Sequence, residues 1–181
     1  MINPWKLLEE KKVFENEFVS IDCQKYLMPN GKISDYYIRD GKGHVASILA
    51  LTADRRFVLA REFRPGPRKI LDELPGGLVD SGETPLEAAE RELLEETGYK
   101  GNFIFLGETY LSANSKFKKF CFLAMGCEAI SHSRGNHHEN EFIEVVLKDQ
   151  KEFKDQVFKG ELTDLETALL GLRFLELQTT R

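Results

Sequence analysis

Between Glu83 and Glu96 the chain places six glutamates and one arginine, Arg91, with no lysine to balance them. If this stretch is helical, Glu92, Glu95 and Glu96 fall within about 100° of arc on one side. Ala88 shares that stripe, so nothing bulky covers the carboxylates. Like charges at i, i+4 cost only about 0.2–0.5 kcal/mol per pair in water, so a solvated acidic face is physically tolerable. Clustered carboxylates are also what a hard divalent cation requires, and Mg²⁺ favours a few of them combined with substrate phosphates. Leu74-Pro75-Gly76-Gly77, just upstream, turns sharply and brings bare backbone near a ligand. A carbonyl at Gly76 is then a further oxygen donor. The pattern fits a site where a hard divalent cation meets substrate phosphates.

These side chains need a helix and a scaffold. Thr84 is a cap, Pro85 suits the first helical position and Glu87 completes a capping box. The spacing predicts a helix over 84–97, closed by Gly98, with Leu86 and Leu93 anchoring it in the core. Residues 19–26 and 33–38 read as a hairpin around Pro29-Asn30-Gly31-Lys32. Further strands are expected at 44–52, 57–63, 70–74, 103–110, 117–125 and 141–147, and helices near 149–158 and 162–178. Sheet and helix interleave, an α+β or α/β pattern. The reading divides the chain into an N-terminal β-hairpin extension, residues 1–40, and a main domain, residues 41–181.

Composition narrows the function. With 181 residues, 41% of them apolar and 30% charged, the chain is of globular type. No apolar run approaches the roughly 20 residues a spanning helix needs, so no membrane role is expected. A net charge of −5 is unfavourable for a nucleic-acid binder, though not for a small anionic substrate. Cys23, Cys121 and Cys127 are odd in number and lack C-x-x-C spacing. That suits a reducing compartment, and a cytoplasmic location is expected. Cys121 lies in an apolar run and reads as core. Arg61, Arg64, Arg68 and Lys69 form a basic cluster, a plausible phosphate clamp beside an acidic metal site. His132, His137 and His138 share a polar loop.

The stretch from Gly77 to Tyr99 resembles the Nudix box, G-x5-E-x7-R-E-U-x-E-E-x-G-U, where U is a bulky aliphatic residue. Gly77, Glu83, Arg91, Glu92, Leu93, Glu95, Glu96 and Gly98 fall in register, and Tyr99 alone departs, being aromatic. The resemblance implies an α/β fold, a Nudix-type α/β/α sandwich with a mixed sheet, beside the small N-terminal hairpin subdomain. It implies hydrolysis of a nucleoside diphosphate linked to another moiety, with Mg²⁺ or Mn²⁺ as cofactor. By position Glu92 and Glu96 are the main metal ligands, Glu95 a further one, and Gly76 contributes its carbonyl. Gly77, Glu83, Arg91 and Gly98 shape the loop and helix.

The flanks resemble the ADP-ribose and ADP-sugar pyrophosphatase branch: Arg61-Glu62-Phe63-Arg64-Pro65-Gly66, the N-terminal hairpin, and Gly160-Glu161-Leu162-Thr163-Asp164. Glu139-Asn140-Glu141-Phe142-Ile143-Glu144-Val145 is similar to that branch's catalytic loop. Glu139 is assigned there as the base that activates water, and Glu141 as an additional metal ligand, an order that is open to exchange. Glu95 joins this catalytic group, and Arg61 and Arg64 are substrate-binding residues. ADP-ribose hydrolases of the family usually carry a proline about 15 residues past the box. Here that stretch is Leu111-Ser112-Ala113-Asn114-Ser115. Another nucleoside diphosphate sugar, a dinucleoside polyphosphate or a coenzyme is therefore an alternative substrate, and a non-catalytic nucleotide-binding module an alternative of another class. The partner expected is a small nucleoside diphosphate. The branch further implies a homodimer through the N-terminal hairpin.

Overall fold

The computed structural model of the chain describes residues 2–41, 43–130 and 142–179. It contains two compact units.

The smaller unit takes residues up to 44 together with 110–118. It is an antiparallel sheet of three strands in the order β1 (Lys6–Glu15), β2 (Val19–Leu27), β3 (Ile33–Gly41). Gly31 takes the left-handed conformation (φ 79°) that the β2–β3 turn demands, and its N–H donates to the Met28 carbonyl. β1 goes beyond the expected hairpin. Its sequence, KLLEEKKVFE, lacks clean alternation, and all ten of its residues are exposed. Lys116 of the 110–118 segment reaches Glu10, Asp22 and Asp40 at 3.0, 3.0 and 3.2 Å.

The larger unit holds the glutamate helix. Its sheet runs β10 (Glu144–Lys148), β5 (Phe57–Arg64), β4 (Val45–Thr52), β9 (Lys118–Ala129), β8 (Tyr99–Tyr110). β6 (Lys69–Glu73) pairs with β5, and β7 (Gly76–Leu78) with β4. β4 and β9 are parallel, whereas β4 meets β5 and β7 antiparallel. The sheet is therefore mixed.

β4 is apolar along its length because both its faces are covered. Ala46, Ile48 and Ala50 pack with Ala88, Ala89 and Leu93 of α1 (Pro85–Thr97). Leu49 and Leu51 face the other way, against Phe153 and Val157 of α2 (Gln150–Lys159) and Ala168, Leu172 and Leu175 of α3 (Leu165–Thr179). Phe57 and Phe153 stack there with ring centroids 4.2 Å apart. Burying each such large side chain stabilises the fold by about 1.5–3 kcal/mol. Helices thus cover both faces of the sheet, the α/β/α arrangement expected.

α1 begins as its sequence dictates. Thr84 and Glu87 form the reciprocal capping box, Pro85 opens the helix, and Gly98 ends it in the left-handed region (φ 71°) with its N–H on the Leu94 carbonyl. One expectation fails. Leu93 is fully buried, but Leu86 is 43% exposed. The first turn runs past the packed region, so only the later turns are anchored, through small residues as well as Leu93.

Candidate active site

Two glycines set the site's floor. β7 lies along β4 with Gly76 opposite Ser47 and Gly77 opposite Ala46. A Cβ on Gly76, whose φ is 155°, would stand 2.3 Å from the Ala46 carbonyl oxygen. A Cβ on Gly77 would stand 2.3 Å from Glu92 Oε1. Both positions therefore require glycine, the first for the backbone and the second to leave room for a carboxylate.

Arg91 organises the acids around it. Its Nε donates to Glu83 Oε1 at 3.0 Å, and Nη1 to Glu92 Oε1 at 2.8 Å and Glu95 Oε2 at 3.1 Å. Nη2 donates to the Leu78 carbonyl at 2.9 Å and to Glu83 Oε2 at 3.0 Å. Glu83 also accepts the Asp80 N–H. Arg91 and Glu83 thus tie the 78–83 loop to the helix, and the guanidinium holds the Glu83 carboxyl below its ordinary value. The same acids raise the Arg91 value further.

Glu96 sits differently. One of its carboxylate oxygens accepts the Gly76 N–H at 2.9 Å. Desolvation pushes its carboxyl up to about 8. The Gly76 hydrogen bond and Arg64 oppose this, while the nearby charges of Glu92 and Glu62 reinforce it.

These groups share a cavity of about 400 Å³. Glu62, Arg64, Gly76, Gly77, Arg91, Glu92, Glu95 and Glu96 line it, together with Leu78, Asp80 and Ile143. The donor set is all oxygen and mostly carboxylate, which fits a hard divalent cation better than a soft one. Among the described residues no three such groups are already posed as a finished metal cage. Glu92 and Glu95 instead share the Arg91 Nη1, an internal cation occupying the acids.

A NUDIX domain family matches residues 42–165 of this chain. The chain belongs to the NUDIX family. It is 27% identical to an ADP-ribose pyrophosphatase of Bacillus subtilis (strain 168) over 175 residues, 96% of this chain and 93% of that protein. It is 31% identical to a GDP-mannose pyrophosphatase of Cronobacter sakazakii over 148 residues, 76% of this chain and 75% of the relative. The fold of an ADP compounds hydrolase superposes with a TM-score of 0.81 at 20% identity, covering 98% of this chain and 97% of that one.

Of the NUDIX residues singled out from the sequence, Gly76, Gly77, Arg64, Arg91, Glu92, Glu95 and Glu96 line the one cavity. Glu83 stands behind Arg91. Gly98 caps the helix. Arg61 is elsewhere. It forks onto Asp72 at 2.6 and 3.1 Å and lies 3.8 Å from Glu144, outside the cavity lining. Glu139, Glu141 and the three loop histidines lie outside the described residues. Sequence reasoning gave no role to Glu62, which lines the cavity and pairs with Arg64 at 2.7 Å. The signal was its position: on a strand, Glu62 and Arg64 are two residues apart and so share a face.

Proposed function

We propose that this Nudix pyrophosphohydrolase cleaves the diphosphate of a nucleoside diphosphate joined to a second moiety. The preferred substrate in this reading is an ADP-sugar such as ADP-ribose, giving AMP and a sugar phosphate. The observation that carries it is the cavity where Glu62, Glu92, Glu95 and Glu96 meet Arg64 and a bare glycine strand. The similarity to an ADP-ribose pyrophosphatase over almost the whole chain supports the substrate class. A second reading, another nucleoside diphosphate sugar, is favoured by the absence of proline in 111–115 and by the likeness to a GDP-mannose pyrophosphatase.

Glu92, Glu95, Glu96 and the Gly76 carbonyl would hold Mg²⁺ or Mn²⁺. When bound, the cation supplies charge neutralisation on the phosphates and a more acidic water. Arg64 presents N–H groups to a phosphate oxygen, a planar fork that lysine does not reproduce. Arg61, the second arginine assigned to substrate, is held on Asp72 outside the cavity lining, so Arg64 carries the phosphate contact in this reading. Glu139 would take the proton of the attacking water and Glu141 would join the residues that hold the cation, or the two would exchange roles. Arg91 and Glu83 keep Glu92 and Glu95 in place. The protein acts as a homodimer in this reading, in a reducing cytoplasm that suits its three free thiols.

Glu92→Gln and Glu96→Gln test the assignment. Each is expected to lower AMP release from ADP-ribose by two or more orders of magnitude, on the order seen when a key electrostatic group is lost, with circular dichroism unchanged. Near-normal turnover in both variants would refute the mechanism. A panel of nucleoside diphosphate sugars assayed for released monophosphate separates the two substrate readings.

A further inference from the structure

The larger unit buries one carboxylate that the proposed reaction does not use. Glu73, at the end of β6, is 1% exposed. One of its oxygens accepts from Arg64 Nε, the other from the Thr163 hydroxyl. Thr163 belongs to the segment between α2 and α3, and Asp164 Oδ2 lies 3.1 Å from the same hydroxyl.

A buried ion pair is weak evidence for stability, because well-packed apolar residues of similar volume do as well or better. What Glu73 does provide is direction. A guanidinium carries five N–H donors in a rigid plane. Nε–H is taken by Glu73, and Nη2 forms an ion pair with Glu62 at 2.7 Å. The Nη groups are left to meet a ligand, on a side chain that lines the cavity beside Glu92, Glu95 and Glu96. With Nε fixed from behind, the plane of the group is set before any ligand arrives, so less ordering entropy is lost on binding.

We propose that Glu73 is a positioning residue: backed by the Thr163 hydroxyl, it fixes the Arg64 guanidinium as a preformed fork for a diphosphate oxygen. This rests on the reading of Arg64 as a phosphate donor.

The test combines kinetics with binding of α,β-methylene-ADP, a diphosphate that resists cleavage, measured by calorimetry in Mg²⁺. Glu73→Gln is expected to raise KM for ADP-ribose and weaken analogue binding by about tenfold, the scale of one charge-assisted hydrogen bond, while kcat changes less. Thr163→Val shifts both in the same direction, and Thr163→Ser, which keeps the hydroxyl, restores them. In an Arg64→Ala background Glu73→Gln adds nothing to the binding loss, since the two act as one unit. The proposal is overturned if Glu73→Gln and Thr163→Val lower only the melting temperature, or if their effects add fully to that of Arg64→Ala. An Arg64→Ala variant that binds the analogue normally overturns it too, by removing the phosphate role of Arg64 itself. That result is distinct from a silent Glu73 beside an active Arg64. If Glu73→Gln does not fold, the Thr163→Val and Thr163→Ser pair carries the comparison.

Discussion

Glu96 accepts a backbone N–H, stands near two like charges and has a carboxyl raised to about 8 from an ordinary 4.5. For an acid raised in the folded state, the native form holds the extra proton. Its contribution to stability is full below pH 4.5 and is lost as pH climbs to about 8. In EDTA, therefore, the wild-type stability should fall between pH 5 and pH 8.5, by an amount on the order of 2 kcal/mol after discounting for partial exposure, and the melting temperature should fall with it. Glu96→Gln, which mimics the protonated form, should flatten that slope, and thermal melts at several pH values decide it. Mg²⁺ acts in the opposite sense, because it binds only the carboxylate, so its affinity should rise over the same window. Much of this residue-level pattern was legible. The register of Gly77, Glu83, Arg91, Glu92, Glu95 and Glu96 follows from one helix and its lead-in, where spacing alone fixes geometry. Glu73 with Thr163, and Lys119 with Asp164 and Glu166, were not legible. Their partners lie 45 or more residues away in the chain, as the 2.6 Å Lys119 contacts to Asp164 and Glu166 illustrate, and no local period announces such pairs.

At the scale of elements, β7 and α1 meet where Gly77 faces Glu92, and the contact has no spare volume. In Gly77→Ala the new methyl must displace the Glu92 carboxylate, the mobile end of a side chain, rather than any backbone. Activity should therefore drop at least tenfold while the melting temperature moves by no more than a few degrees, about 1 kcal/mol for a chain of this size. Assay and calorimetry on one preparation compare the two. Loss of fold with loss of activity would show that Gly77 serves packing instead. The caps of α1 were readable because Thr84, Pro85, Glu87 and Gly98 each act within four residues. β8 starts at Tyr99, earlier than the apolar pattern suggests, because the left-handed Gly98 turns the helix directly into the strand. β1 was unreadable for the opposite reason. None of its residues is buried within this chain, so no alternation marks it.

At the scale of the molecule, that same strand bears on assembly. β1 is the outer strand of its sheet and exposes Leu7, Leu8, Val13 and Phe14. A long uncovered edge with apolar side chains invites pairing with another chain. Light scattering should give twice the chain mass for the 181-residue chain and the monomer mass for a variant lacking residues 1–40. Since 110–118 packs within the same unit, Val13→Asp with Phe14→Glu offers a gentler check with the same expected result. A monomeric 181-residue chain would dispose of the dimer.

The central position of β4 has a consequence for how the enzyme comes into being. Its alternate residues seal two separate cores, and its first three positions also align Gly76 and Gly77 beside the helix. A slip of one residue would swap its two sets of side chains and shift that glycine track in the same stroke. Misthreaded chains are thus inert from the outset, and a pyrophosphatase that turns over at all has already certified the placement of its innermost strand.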